Sequence, residues 1–239
     1  MISATSTPLT PIPAAKGRGI FAFVNNATIG SAAKASATPA RKGSATGNIL
    51  IPDVYRGLPV VSIADKAFFN KSDVTGIVFG EKTNIKSIGA YAFANCSYIT
   101  SIALPEKLEY LGTNAFASCR LLTGEIVIPG GIKEVPTQAF AYCAEITNVK
   151  FGEGIESIGK MAFTDCIGIK SVKLPESLKV FEDFAFAVCD NIEELTFGKS
   201  LETIGNYTFS GCPKIAEVTI PDKVKTIGEG AFFECEALA

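Results

Sequence analysis

The sequence predicts a right-handed solenoid of parallel strands. Three observations carry that prediction: a phenylalanine that returns every 23 to 25 residues, a cysteine fixed three residues after it, and a short apolar alternation closed by Pro or Gly in most periods. Phenylalanine stands at 68, 93, 116, 140, 163, 186, 209 and 232, with Ala before it everywhere except at Thr208. The seven cysteines, Cys96, Cys119, Cys143, Cys166, Cys189, Cys212 and Cys235, all occupy the same place, and only the first unit departs from it with Lys71. Self-similarity at a period of about 20–50 residues marks stacked-repeat architectures, in which one unit cannot bury its own apolar side.

Each unit divides into the same elements. After the cysteine comes an aliphatic residue (Ile99, Ile146, Ile169) and then an alternating pair such as Ile102/Leu104, Val149/Phe151 or Val218/Ile220. Period-two alternation predicts a strand of three to five residues with one buried face, and the following Pro105, Gly152 or Pro221 ends it. A second apolar group follows, such as Ile155 with Ile158, and an Ile-Gly step (Ile88-Gly89, Ile204-Gly205) turns the corner. The Ala-Phe-x-x-Cys segment has helical spacing but is too short for more than about one turn. Stacking the units lays each Phe on the next, and about eight coils spaced ~4.8 Å apart make a rod or arc of ~38 Å.

The first 47 residues differ. They contain Lys16, Arg18, Lys34, Arg41 and Lys42 and no acid, a basic arm on an acidic body. Residues 1–18 are rich in Ser, Thr, Pro and Ala and predict an extended lead; they lack the pattern of a secretory signal. Within 19–47, Ile20, Phe21, Phe23 and Val24 precede Asn25-Asn26 and then Thr28-Ile29, which predicts a short β hairpin capping the solenoid. A low-complexity loop follows, and the solenoid occupies 48–239. The chain stops in mid-coil at Leu238-Ala239 without a polar cap, so a truncated chain or an end covered by something else is expected there.

The recurring L-x-x-I-x-[L/F]-[P/G] and I-G-x-x-A-F-x-x-C elements resemble the BspA-like leucine-rich repeats, also called the Treponema pallidum type. The resemblance covers residues 48–239, including an opening coil at Asn48–Pro52 and Gly57–Ile63, and the 19–30 segment is similar to that family's N-terminal cap. It implies a protein-binding or adhesive role, at the cell surface or secreted, with the cytoplasm as the alternative compartment. One departure matters. Where the common leucine-rich pattern has Asn or Cys, this chain has Lys107, Gly131, Gly154, Ser177, Ser200 and Lys223, so no asparagine ladder forms and the turns are satisfied by other means.

Composition removes much catalytic chemistry. With no His in 239 residues there is no Ser-His-Asp triad, no Cys-His dyad and no imidazole ligand. A net charge of −2 gives no reason to expect nucleic acid, and no apolar run is long enough to span a bilayer. The cysteines match no zinc spacing and read as buried thiols whose parallel side chains suit disulfides poorly. Glu81, Glu106, Glu153, Glu176 and Asp222 form a partial column after the strands. A paired-carboxylate hydrolase and a calcium column were weighed against a solvated turn, which is preferred; no cofactor and no metal are expected.

The outward strand positions are the candidate site. Beside Gly76/Val78 and Glu125, they are Ser101, Ala103, Val127, Asn148, Lys150, Ser171, Lys173, Glu194, Thr196, Glu217 and Thr219, two columns on a concave sheet that run from small and apolar through basic to Glu and Thr. Side chains on a rigid frame suit protein recognition, though no aromatic anchor stands among them. The expectation is a non-enzymatic module binding a protein partner. The alternative is a structural component that self-associates through its last coil.

Overall fold

The computed structural model of the chain describes residues 20–21, 47–55 and 57–239, the first two by backbone alone. It is a β-solenoid of about eight coils, with no helix among the described residues. Strand alternation builds one column of sheets from the longer strands. Here β1 (Ile20–Phe21), β2 (Gly47–Ile51) and β6 (Val74–Phe79) pair in the order β1-β2-β6, and β9 (Gly124–Ile128), β11 (Ile146–Phe151), β13 (Ser171–Lys173) and β15 (Glu194–Thr196) form a second, four-stranded sheet. The shorter strands stack likewise. β5 (Ser62–Ile63), β7 (Ser87–Ile88) and β8 (Tyr110–Leu111) form one sheet, and β10 (Glu134–Val135), β12 (Ser157–Ile158), β14 (Val180–Phe181), β16 (Thr203–Ile204) and β17 (Thr226–Ile227) another. Every pair in these sheets is parallel, as coils of one hand require. The one antiparallel pair among the described residues joins β3 (Val54–Tyr55) to β4 (Leu58–Pro59) in the opening coil.

Of the expected N-terminal hairpin, Ile20–Phe21 pairs parallel with Ile49–Leu50; the rest of it, the basic arm and residues 1–18 lie outside the described residues. Two strands expected from alternation are missing. Ser101–Leu104 holds only a single bridge, Gly76 to Ser101, and Glu217–Ile220 forms no strand, with Ile220 exposed. The first gap follows a lengthened turn: Phe79 and Ile85 stand six residues apart where Leu104 and Leu108 stand four, so the coils part on that side.

The core is a file of rings. Phe68, Phe93, Phe116, Phe140, Phe163, Phe186, Phe209 and Phe232 stack with centroids 4.9–5.7 Å apart and planes within 13°. Burying each ring contributes roughly 1.5–3 kcal/mol before entropy is subtracted. The Ala-Phe-x-x-Cys segments are not the single helical turns their spacing predicts. Tyr91 and Asn95, two residues either side of Phe93, have φ of 55° and 60°, and left-handed residues recur at both places in all eight units. The effect is an alternation of hydrogen bonds. The N–H groups of Tyr91, Phe93 and Asn95 donate to Thr113, Ala115 and Ala117 of the next coil at 2.8–2.9 Å, while those of Ala92, Ala94 and Cys96 close tight turns within their own coil. Backbone groups buried in the stack are thereby paired without a helix or an asparagine ladder.

Each cysteine supplies a further bond. Its Sγ donates to the carbonyl oxygen of the Phe one coil earlier, from Cys96 to Phe68 at 3.0 Å through to Cys235 to Phe209 at 3.2 Å. All seven thiols are free and buried, as the spacing predicts.

A charge column runs along the short-strand side. From β7 to β17 the residue before each short strand of these sheets is Lys86, Glu109, Lys133, Glu156, Lys179, Glu202 and Lys225 in successive coils, strictly alternating in sign. Lys86–Glu109, Lys179–Glu156 and Lys225–Glu202 close to 2.7 Å, and Lys133–Glu156 stands at 3.9 Å.

Candidate protein-binding face

Along β9, β11, β13 and β15, Ile126, Val149, Val172 and Leu195 turn inward and are buried, which leaves their neighbours outward. Parallel register then sets two columns. Glu125, Asn148, Ser171 and Glu194 align in one; Val127, Lys150, Lys173 and Thr196 align in the other. The register slips by one residue at Thr147, between the pairs Ile146–Gly124 and Asn148–Glu125, and so sets Glu125 opposite Asn148.

The first column is tied together. Asn148 Nδ2 donates to Glu125 Oε1 at 2.8 Å, and Ser171 Oγ lies 3.4 Å from Asn148 Oδ1. Lys150 Nζ sits 2.9 Å from Glu125 Oε2, and that hydrogen bond holds the Glu125 carboxyl below the usual carboxylate range. The two lysines are therefore not equivalent: Lys150 is neutralised, whereas Lys173 makes no ion pair among the described residues. An open cleft of about 400 Å³ lies between their coils.

Ser101 and Ala103 are exposed but sit outside any strand, as do Glu217 and Thr219. They extend the face at its two ends without the rigidity that ladder bonds give the middle. Toward the N-terminal end the second column continues through Val78 to Leu50, which β2–β6 pairing places opposite it. Val127, Val78 and Leu50 are 52%, 45% and 38% exposed, an apolar file at the end expected to be small and apolar, with Leu50 the member that the sequence reading left out. Leu50 was legible in principle, as the outward residue between Ile49 and Ile51. Between Val78 and Ala103 the parted coils leave a cleft of about 880 Å³.

The other chemistry-bearing residues point away from catalysis. Burial pushes the Cys96 and Cys212 thiols up to about 12 and those of Cys166 and Cys189 well above their ordinary range, the reverse of what a thiolate nucleophile needs. In the turn column, Glu176 Oε2 accepts the Lys199 N–H at 2.9 Å, a turn-closing role. Among the described residues no three His, Cys, Asp or Glu side chains gather as a metal site, and no helix is long and apolar enough to cross a membrane.

The sequence profile for the BspA type leucine rich repeat region matches this chain in six copies over residues 61–166 and 122–239. Among solved structures the chain is similar to a leucine-rich repeat protein of T. pallidum, at 25% identity over 82% of this chain and 79% of that one, with a TM-score of 0.57. It is similar also to a leucine-rich repeat protein from Bacteroides ovatus, at 25% identity, 80% and 73% coverage and a TM-score of 0.53. A leucine rich cell surface protein from Faecalibacterium prausnitzii shares the fold at 24% identity, over 81% of this chain and 58% of its own, with a TM-score of 0.52. No curated protein matches the sequence.

Proposed function

Because the chain belongs to the BspA-type leucine-rich repeat family, whose repeats typically serve protein interaction, we propose that it is a non-enzymatic module that binds a protein partner on its concave parallel sheet. The observation that carries this reading is the pair of side-chain columns held in register on β9, β11, β13 and β15. Positions fixed by ladder hydrogen bonds present their side chains with little ordering cost on docking. No covalent step, metal or cofactor enters the mechanism. The family resemblance supports a surface or secreted location, with the cytoplasm as the alternative. Protease shaving of intact source cells separates the two by whether peptides appear before or only after lysis.

The test of the face uses photo-crosslinking amino acids at two exposed positions, Thr196 on the sheet and Tyr142 on the Ala-Phe side of a coil. Protein adducts formed from Thr196 and not from Tyr142 are expected. Adducts from Tyr142 alone overturn the choice of face, and adducts from neither overturn the binding role.

A further inference from the structure

We propose, resting on the protein-binding reading above, that the strand face recognises an extended protein segment of defined chemistry: a bulky apolar side chain followed, four or six residues later, by a carboxylate.

The apolar half of this assignment comes from the cleft between β6 and the coil that follows it. Its walls are Val78, Phe79, Ile102, Ala103 and Leu104, with charged turn residues such as Lys82 and Glu106 at one end, and it goes with a lengthened Gly80–Ile85 turn and, among the described residues, a single bridge from Ser101 to Gly76 of β6. The face offers no aromatic knob of its own, but it offers this hole. Interface anchors are large side chains seated in such pockets, so the anchor belongs to the partner. The apolar file of Leu50, Val78 and Val127 on either side favours a segment that is apolar there rather than a sugar chain.

The acidic half comes from Lys173. Its neighbour in register, Lys150, is already paired with Glu125 at 2.9 Å. Lys173 makes no ion pair among the described residues and stands exposed at the edge of the second cleft, beside Ser171 and Thr196. Glu153 and Glu194 line the same cleft, so it is Lys173 with the Ser171 and Thr196 hydroxyls, not the cleft as a whole, that receives a carboxylate, whereas a lysine arriving at Lys173 meets like charge.

The spacing follows from the lattice of the fold. Val127, Lys150 and Lys173 stand in one column on paired strands ~4.8 Å apart, and the unpaired Ala103 coil adds at least one more step, so the near wall of the cleft and the cation are separated by at least ~14 Å. An extended chain advances ~3.3 Å per residue and alternates its side chains. Only even spacings turn both groups toward the sheet, and four or six residues cover the distance.

The test is selection of phage-displayed random decapeptides on the immobilised full chain, followed by affinity measurement with synthetic copies of the enriched peptides. Enriched sequences are expected to carry Phe, Leu, Ile or Met with Asp or Glu four or six places on. Their affinity is expected to fall at least tenfold on Lys173→Glu, on Ala103→Trp, which fills the cleft, and when the peptide acid is changed to Lys. The Lys peptide is expected to recover on Lys173→Glu. Val78→Lys replaces Ala103→Trp if the latter melts below the parent chain. No enrichment, a consensus without the spaced acid, or affinities indifferent to Lys173→Glu each overturn the assignment. Peptides without the acid that are nevertheless lost on Val127→Asp leave the sheet as the binding face and sink only this specificity. Peptides that survive substitution at 78, 103, 127 and 173 sink both.

Discussion

The thiol of Cys166 donates to the carbonyl oxygen of Phe140, one coil earlier, across 3.2 Å. That same oxygen accepts the N–H of Cys143 at 3.2 Å, so both of its lone pairs are engaged. The thiol bond recurs for all seven cysteines, which makes them the donors that satisfy the Phe carbonyl in seven of the eight coils, where an asparagine ladder would otherwise serve.

The thiol column predicts weakness in alkali. Burial holds the Cys166 and Cys189 thiols well above their ordinary range and pushes Cys96 and Cys212 to about 12. The unfolded chain therefore releases these protons first as pH climbs past about 8.5, while the fold holds those of Cys96 and Cys212 until about 12 and keeps those of Cys166 and Cys189 well above their ordinary range. Stability is full below that window and declines through it, by up to ~1.4 kcal/mol per pH unit for each such thiol. Urea melts at pH 7, 8.5 and 10 measure the decline, and Cys166→Val removes its share of the slope. In native buffer at pH 7 a thiol reagent labels the chain only at the rate of unfolding.

Val188 is a β-branched residue held at φ 58° on an exposed position, where the neighbouring coils have Asp165 and Gly211. A left-handed conformation costs such a side chain roughly 1–2 kcal/mol. Val188→Asn is expected to raise the melting temperature by about 2–4 °C, and Asn95→Val to lower it comparably. A drop on Val188→Asn contradicts the strain argument.

Phe140 lies in the middle of the ring file, with Phe116 and Phe163 on its two faces at 5.3 and 5.4 Å. Phe140→Ala is expected to cost about 3–5 kcal/mol. Because each coil contacts only its neighbours, it is also expected to split the unfolding curve followed by circular dichroism into two transitions. Phe232→Ala, at the half-buried last ring, leaves a single transition and costs less.

The Lys179 ammonium holds the Glu156 carboxyl below its usual range through a hydrogen bond, and Lys225 does the same for Glu202. For a carboxyl whose folded pKa is lowered, the stabilisation is present above the ordinary carboxylate range and is lost as pH falls through the lowered value. Glu156→Lys places three cations in a row with Lys133 and Lys179. Its melting temperature is expected to fall at low ionic strength and to recover as salt is added, since exposed charges are screened.

What the sequence disclosed depended on whether a property shares the period of the repeat. The Phe file and the buried thiols recur once per coil in a fixed residue type, so they stood out at once. The left-handed positions also recur once per coil, but Tyr91, Met161, Phe184 and Val188 do not announce that conformation, and the segment read as a helical turn. The Lys/Glu column was in plain view from Lys86 to Lys225 yet recurs only every second coil, which a search at one-coil period passes over. At the face, the columns themselves were legible from alternation. The pairing of Lys150 with Glu125 depends on the one-residue register shift at Thr147, and the cleft at Ala103 on two extra residues in an upstream turn, so neither follows from simple alternation along the strands.

That charge column has a consequence for how such an array changes length. The hydrophobic core treats all coils alike and accepts the loss or gain of any one. The ionic column distinguishes odd coils from even: removing a single coil juxtaposes like charges across the scar, and removing two heals it. Parity is thus written into the surface, and duplication or deletion of coils in steps of two keeps its alternation of sign intact.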